Sequence, residues 1–139
     1  MNAVITISGI QGIAGDKPDT IELVTEGIYC RTEDGFEIRY HESEITGLNG
    51  TETSVEINPD GVVVERKGML NSRMVFRQGE KSSFLYDTPY GSATLGVDTR
   101  KINAKLNDLG GELSIDYVVN MEHAIVSKNM LKMSVRTRS

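Results

Sequence analysis

The sequence predicts an all-β fold, a single closed, antiparallel, up-and-down β-barrel of about eight to ten strands. Three observations lead there. Turn signals recur at short intervals: GIAGDKPD, TEDG, GLNG, NPDG, RKG, RQGEK, TPYG and LGG. The runs between them alternate apolar and polar residues with a period of two, the signature of half-buried strands. No segment carries a convincing helical pattern, so nothing supplies the crossovers that parallel strands need. A meander of short strands exposes two edges that invite aggregation, and closing the sheet removes them.

The chain of 139 residues suits one domain, since domains cluster at about 100–150 residues, and residues 1–139 read as one barrel that requires neither disulfide nor metal. Twenty Asp and Glu against 15 Lys and Arg leave a formal net charge of −5. That balance argues against nucleic acid and anionic membranes as partners, because both attract Lys/Arg-rich faces. The single cysteine, Cys30, has no internal disulfide partner and fits a reducing compartment. It reads as a small, partly buried apolar residue.

The elements follow in chain order. MNAVITISGIQG has no Lys or Arg before its apolar residues, and Thr6 and Ser8 interrupt them, so it reads as a first strand and not as a secretory signal. No window approaches the ~18 consecutive apolar residues of a membrane helix, and a soluble, cytoplasmic protein is expected. The glycines of GIQGIAG, Gly9, Gly12 and Gly15, lack dinucleotide-fingerprint spacing and precede no helix; they read as a flexible or bulged strand end. In FEIRYHE, Phe36, Ile38 and Tyr40 share one face while Glu37, Arg39 and His41 share the other. Further on, Ser72 is in phase with Leu70, Met74 and Phe76.

YDTPYGSATLG raises the possibility of a phosphate-cradling loop, but no Gly-Lys-Ser/Thr stands anywhere in the chain. TPYG instead puts Pro89 second and Gly91 fourth in a type I turn, the positions these residues favour. A turn centred on Pro89 and Tyr90 sets Tyr86 opposite Ala93, Phe84 opposite Leu95 and Ser82 opposite Val97, with Lys81 meeting Asp98 on the other face. The apolar phase is odd through Ala93, Leu95 and Val97 but even in Ile102, Ala104 and Leu106, which requires a bulge or bend between Asp98 and Lys101. In GELSIDYVVNM the apolar phase is Leu113, Ile115, Tyr117, Val119 and Met121, and in NMLKMSVR it is Leu131, Met133 and Val135. A hairpin turning at about His123 brings Tyr117 opposite Asn129.

The stretch RMVFRQGEKSSFLYDTPYGSATLGVDTRKI resembles the YwiB-like family of uncharacterised bacterial proteins through Phe76, Gly79, Tyr86, Thr88, Pro89, Tyr90, Gly91 and Thr99. The resemblance extends more weakly from about Ile5 to Val135. It implies a lipocalin-like, calycin-type β-barrel of unknown function and brings no catalytic residues.

No chemistry stands out from the residues themselves. His41, His123, Cys30, Glu42, Glu44 and Glu122 lack the spacing of a zinc site, so no metal is assigned. No serine stands in a Gly-x-Ser-x-Gly elbow or a Ser-x-x-Lys pair, so no catalytic residue is assigned. Asn49-Gly50-Thr51 matches a glycosylation acceptor and reads as a turn. Barrels that hydrolyse triphosphates are lined by repeated Glu-x-Glu and Lys/Arg residues; here only VVVERKG and FEIRYHESE hint at this, and both read as outward, solvated faces. No cofactor is expected.

Two functional classes remain. One is a barrel holding a small apolar or amphipathic ligand in its interior; the other is a packed barrel that binds a protein through its loops or outer face. For the first, the inward-phase polar residues Ser72, Tyr86, Tyr117 and Asn129, with Phe76 and Phe84, are the candidate ligand lining.

Overall fold

The computed structural model describes residues 1–12, 17, 19–44, 48–122 and 124–138. Among the described residues every regular element is a strand: β1 (Asn2–Gly12), β2 (Asp19–Arg31), β3 (Phe36–His41), β4 (Glu52–Asn58), β5 (Gly61–Lys67), β6 (Ser72–Phe76), β7 (Lys81–Thr88), β8 (Gly91–Asn107), β9 (Gly110–Met121) and β10 (Ala124–Thr137). They form one ten-stranded sheet in the order β6-β5-β4-β3-β2-β1-β10-β9-β8-β7. Sequential strands other than β6 and β7 pair antiparallel, and β1 pairs with β10 from Ala3↔Thr137 to Gly12↔Lys128. The two remaining edges, β6 and β7, meet at a narrow seam. Asn71 N–H donates to Asp87 O at 2.8 Å, Asp87 N–H donates to Asn71 O at 3.0 Å, and Ser82 Oγ donates to Val75 O at 3.1 Å. The sheet is therefore a nearly closed barrel. No helix among the described residues is long and apolar enough to cross a membrane.

The TPYG turn imposes the register its residues demand: Tyr86↔Ala93, Phe84↔Leu95, Ser82↔Val97 and Lys81↔Asp98. Gly91 sits at φ +136°, and Thr88 Oγ1 accepts from Tyr90 N–H at 3.2 Å while donating to Gly91 O at 3.0 Å. The phase change in β8 is a bulge, with the register shifting between Thr99 and Lys101. The segment joining β6 to β7 covers the backbone there. Gly79 N–H donates to Thr99 O at 2.8 Å, Thr99 N–H to Glu80 O at 3.0 Å, and Ile102 N–H to Gln78 Oε1 at 2.9 Å. Groups that the bulge takes out of the ladder thus find other partners.

Two local readings need correction. β1 keeps unbroken register through Gly9, paired with β2 and β10 on both sides, and on through Gly12 against β10; Gly15 lies outside the described residues. Cys30 is exposed, because Tyr29 takes the inward phase of β2 and leaves Cys30 pointing out opposite Glu37.

All ten strands contribute to one apolar cluster, in which Ile5, Ile38, Ile115 and Phe76 are fully buried. Each such side chain contributes about 1.5–3 kcal/mol by leaving water. One end of the barrel is clasped from within: Tyr29 Oη donates to Asn107 O at 2.8 Å, and the Tyr29 ring stacks on Phe36 at 5.4 Å. The opposite end, where β3, β5 and β9 finish, is different in character.

Candidate functional site

Towards that second end the inward phase turns polar. In β5 the alternation Val62, Val64 continues to Arg66, and beyond β3 the alternation Ile38, Tyr40 continues to Glu42, which is only 6% exposed. The cross-strand row Tyr40↔Thr53↔Arg66↔Ser72 joins β3, β4, β5 and β6. A second row, Thr99↔Tyr117↔Asn129, joins β8, β9 and β10. Directly opposed residues share a face, so both rows project from the inner wall.

Glu42 is held on several sides. Its Oε1 accepts from Thr53 Oγ1 at 2.6 Å, and its backbone N–H donates to Thr51 O at 2.8 Å. Arg66 Nε stands 3.7 Å from the same Oε1, close enough for an ion pair but too far for a hydrogen bond. Among the described residues, two buried polar side-chain atoms are left without a hydrogen-bond partner: Arg66 Nε and Thr99 Oγ1. Burial pushes the Tyr40 phenol well above its ordinary range, the nearby Glu42 charge adds to this, and Arg66 opposes it. Burial likewise raises Tyr117, again against the Arg66 charge. The guanidinium is thus felt by phenols on β3 and β9, on both sides of the interior. The Tyr117 ring also meets Phe76 edge-on at 4.8 Å.

The residues singled out from sequence fall in three places. Ser72 is buried opposite Arg66, and Tyr117 and Asn129 are cross-strand neighbours as the hairpin count requires. Asn129 Nδ2 donates to Ser127 Oγ at 3.0 Å. Phe76 and Phe84 are core residues, while Tyr86 lies at the rim and is 39% exposed. His41 is exposed on the outer face, and His123 lies outside the described residues.

The outward reading of FEIRYHESE and VVVERKG holds for Glu37, Arg39, His41 and Glu65 but is corrected at Glu42 and Arg66. Counting two residues on from Tyr40 and from Val64 would have found both. Thr53 and Thr99 were missed for another reason: threonine suits either face of a strand, so its type carries no signal.

Shallow depressions also lie outside the barrel. One of ≈450 Å³ runs over β1, β8, β9 and β10 beside Thr6, Ser8, Ser114 and Lys132, and one of ≈320 Å³ lies over β3, β4 and β5. Several charges of the second are engaged in surface pairs, Arg39–Glu37 and Lys67–Glu65. What distinguishes the interior end is hydrogen-bonding capacity left unused in a place that excludes water.

The fold is that of a solved structure described as the crystal structure of ywiB protein from Bacillus subtilis. The TM-score is 0.88 at 20% identity, covering 99% of this chain and 92% of that one. No curated protein matches the chain. A family model described as "Domain of unknown function (DUF1934)" matches residues 5–133, nearly the whole barrel, and the chain belongs to that family.

Proposed function

We propose that the protein is a binding barrel that takes a small amphipathic molecule into the polar end of its interior. One observation carries this reading: Arg66 Nε and Thr99 Oγ1 are buried on the inner wall with no hydrogen-bond partner. A buried polar atom left unpaired costs about 1–3 kcal/mol, which a ligand atom would recover. The surroundings support it. Gly9, on the inward phase of β1, has open space where a side chain would be, with no atom within 4 Å of a Cβ built there. Ile21, the partner of Gly9 on β2, and Tyr86 expose apolar surface at the rim. Apolar walls with a few polar groups are the usual make-up of a ligand site.

The test is an apolar fluorescent probe titrated onto the folded protein. Saturable binding is expected, and Gly9→Phe should abolish it without lowering the melting temperature, because the new ring enters open space. Absent binding, or binding indifferent to Gly9→Phe, would overturn the proposal.

A further inference from the structure

We propose that the headgroup subsite of this barrel is built for an uncharged carbonyl group, and that Glu42 is the residue that rejects the corresponding carboxylate. The inference rests on the binding-barrel reading and goes further by naming the ligand class, an amphipathic molecule with an amide or ester head. Arg66 Nε and Thr99 Oγ1 are the groups the fold leaves open. Nε–H can only donate, so it calls for an acceptor oxygen; the Thr99 hydroxyl can donate or accept, so it can pair with an acceptor or with an amide N–H. Tyr117 is the cross-strand neighbour of Thr99, and the Arg66 charge opposes the rise that burial gives its phenol.

Charge decides between heads. An isolated interior arginine would select an anion. Here Glu42, 6% exposed and fixed by Thr53 Oγ1 at 2.6 Å, already balances Arg66 from 3.7 Å. A carboxylate on Arg66 would add a second negative charge beside a buried one, and uncompensated buried charge is strongly unfavourable. A phosphate would be worse by a further charge. A neutral carbonyl takes the open N–H without disturbing the pair. Met74, Val97, Val119 and Leu131, on the inward phases of neighbouring strands, offer apolar wall to the chain.

The experiment compares decanamide with decanoate, equal in chain length, by calorimetric titration well above the ordinary carboxylate pKa. The wild-type protein should bind decanamide at least about tenfold more tightly. Glu42→Gln keeps an acceptor for Thr53 but removes the balancing charge, and it should shift the preference towards decanoate by at least about tenfold. Thr99→Val, which leaves the charges alone, should weaken decanamide in a protein that stays folded, and it serves if Glu42→Gln does not fold. Equal or tighter decanoate binding by the wild type, or a preference unmoved by Glu42→Gln, would overturn the headgroup assignment. If the apolar probe binds while neither head is favoured, the assignment alone falls. If neither the probe nor either head binds, the binding-barrel reading falls with it.

Discussion

Thr99→Val is expected to stabilise the empty protein. Thr99 is 1% exposed and its Oγ1 has no hydrogen-bond partner. Valine replaces that hydroxyl with a methyl of nearly the same shape on the same β-branched frame. Removing an unpaired buried hydroxyl recovers about 1–3 kcal/mol. The new methyl adds about 0.8 kcal/mol of apolar burial. Strain in a packed wall subtracts from this, leaving an expected gain of about 1–2 kcal/mol, a rise of roughly 3–8 °C in melting temperature for a chain of this size. Thr53→Val supplies the contrast. The same substitution there deletes the 2.6 Å bond to the Glu42 carboxylate and should cost about 1.5–3 kcal/mol. Urea denaturation of the three proteins, with equal m-values, measures both effects. If Thr99→Val proves neutral or destabilising, the hydroxyl has a partner in solution and its claim to be an open ligand contact fails.

Other consequences are simpler to read. Gly91→Val should cost about 1–3 kcal/mol from backbone strain alone, because φ is +136° while the space around a Cβ is empty; an unchanged melting temperature would remove the turn's need for glycine. At alkaline pH the fold should weaken, since burial raises the Tyr29 phenol to about 12 and raises Tyr40 and Tyr117 as well. A phenol raised by folding contributes stability that is complete below its unfolded value near 10 and disappears as pH climbs through the folded value, so denaturation midpoints should fall from about pH 10 upward. Esters, phosphoesters and nucleotides should not turn over above buffer rates, and turnover abolished by a single substitution would overturn this and locate a catalytic site.

Most of the fold was legible because period-two alternation and turn residues are local signals. TPYG set four cross-strand pairs, and the odd-to-even phase change located the bulge, without any knowledge of distant contacts. The polar end was less legible. Reading Glu42 and Arg66 by residue type assigned them to solvent, whereas the phase they continue from Tyr40 and Val64 assigns them inward. Where type and phase conflict, the backbone geometry wins, because a strand cannot turn one side chain outward without shifting the register of all that follow. Closure was legible only in outline. The pairing of β1 with β10 joins opposite ends of the chain, and the β6–β7 seam is held by the backbone exchange between Asn71 and Asp87 and by the Ser82 side-chain bond to Val75.

Thr99 can stay unpaired because its backbone is held from both sides. Tyr117 opposes it across the ladder, Glu80 O takes its N–H, Gly79 N–H takes its carbonyl, and beyond the bulge Gln78 Oε1 holds Ile102 N–H. A backbone so fixed cannot shift to carry the hydroxyl to an acceptor in the wall, and for the same reason it need not reorganise to meet a ligand, which lowers the ordering cost of binding. Gln78→Ala tests this clamp from outside the barrel. Deleting one exposed side-chain bond should cost about 0.5–1.5 kcal/mol. Hydrogen exchange should then quicken at the Ile102 amide, which loses its acceptor, and much less at the Thr99 amide, which keeps Glu80. Equal acceleration at both would mean the clamp acts as one unit and opens with its weakest bond. An unchanged Ile102 amide would mean that Gln78 does not hold the bulge, and the account of why Thr99 is rigid would have to be abandoned.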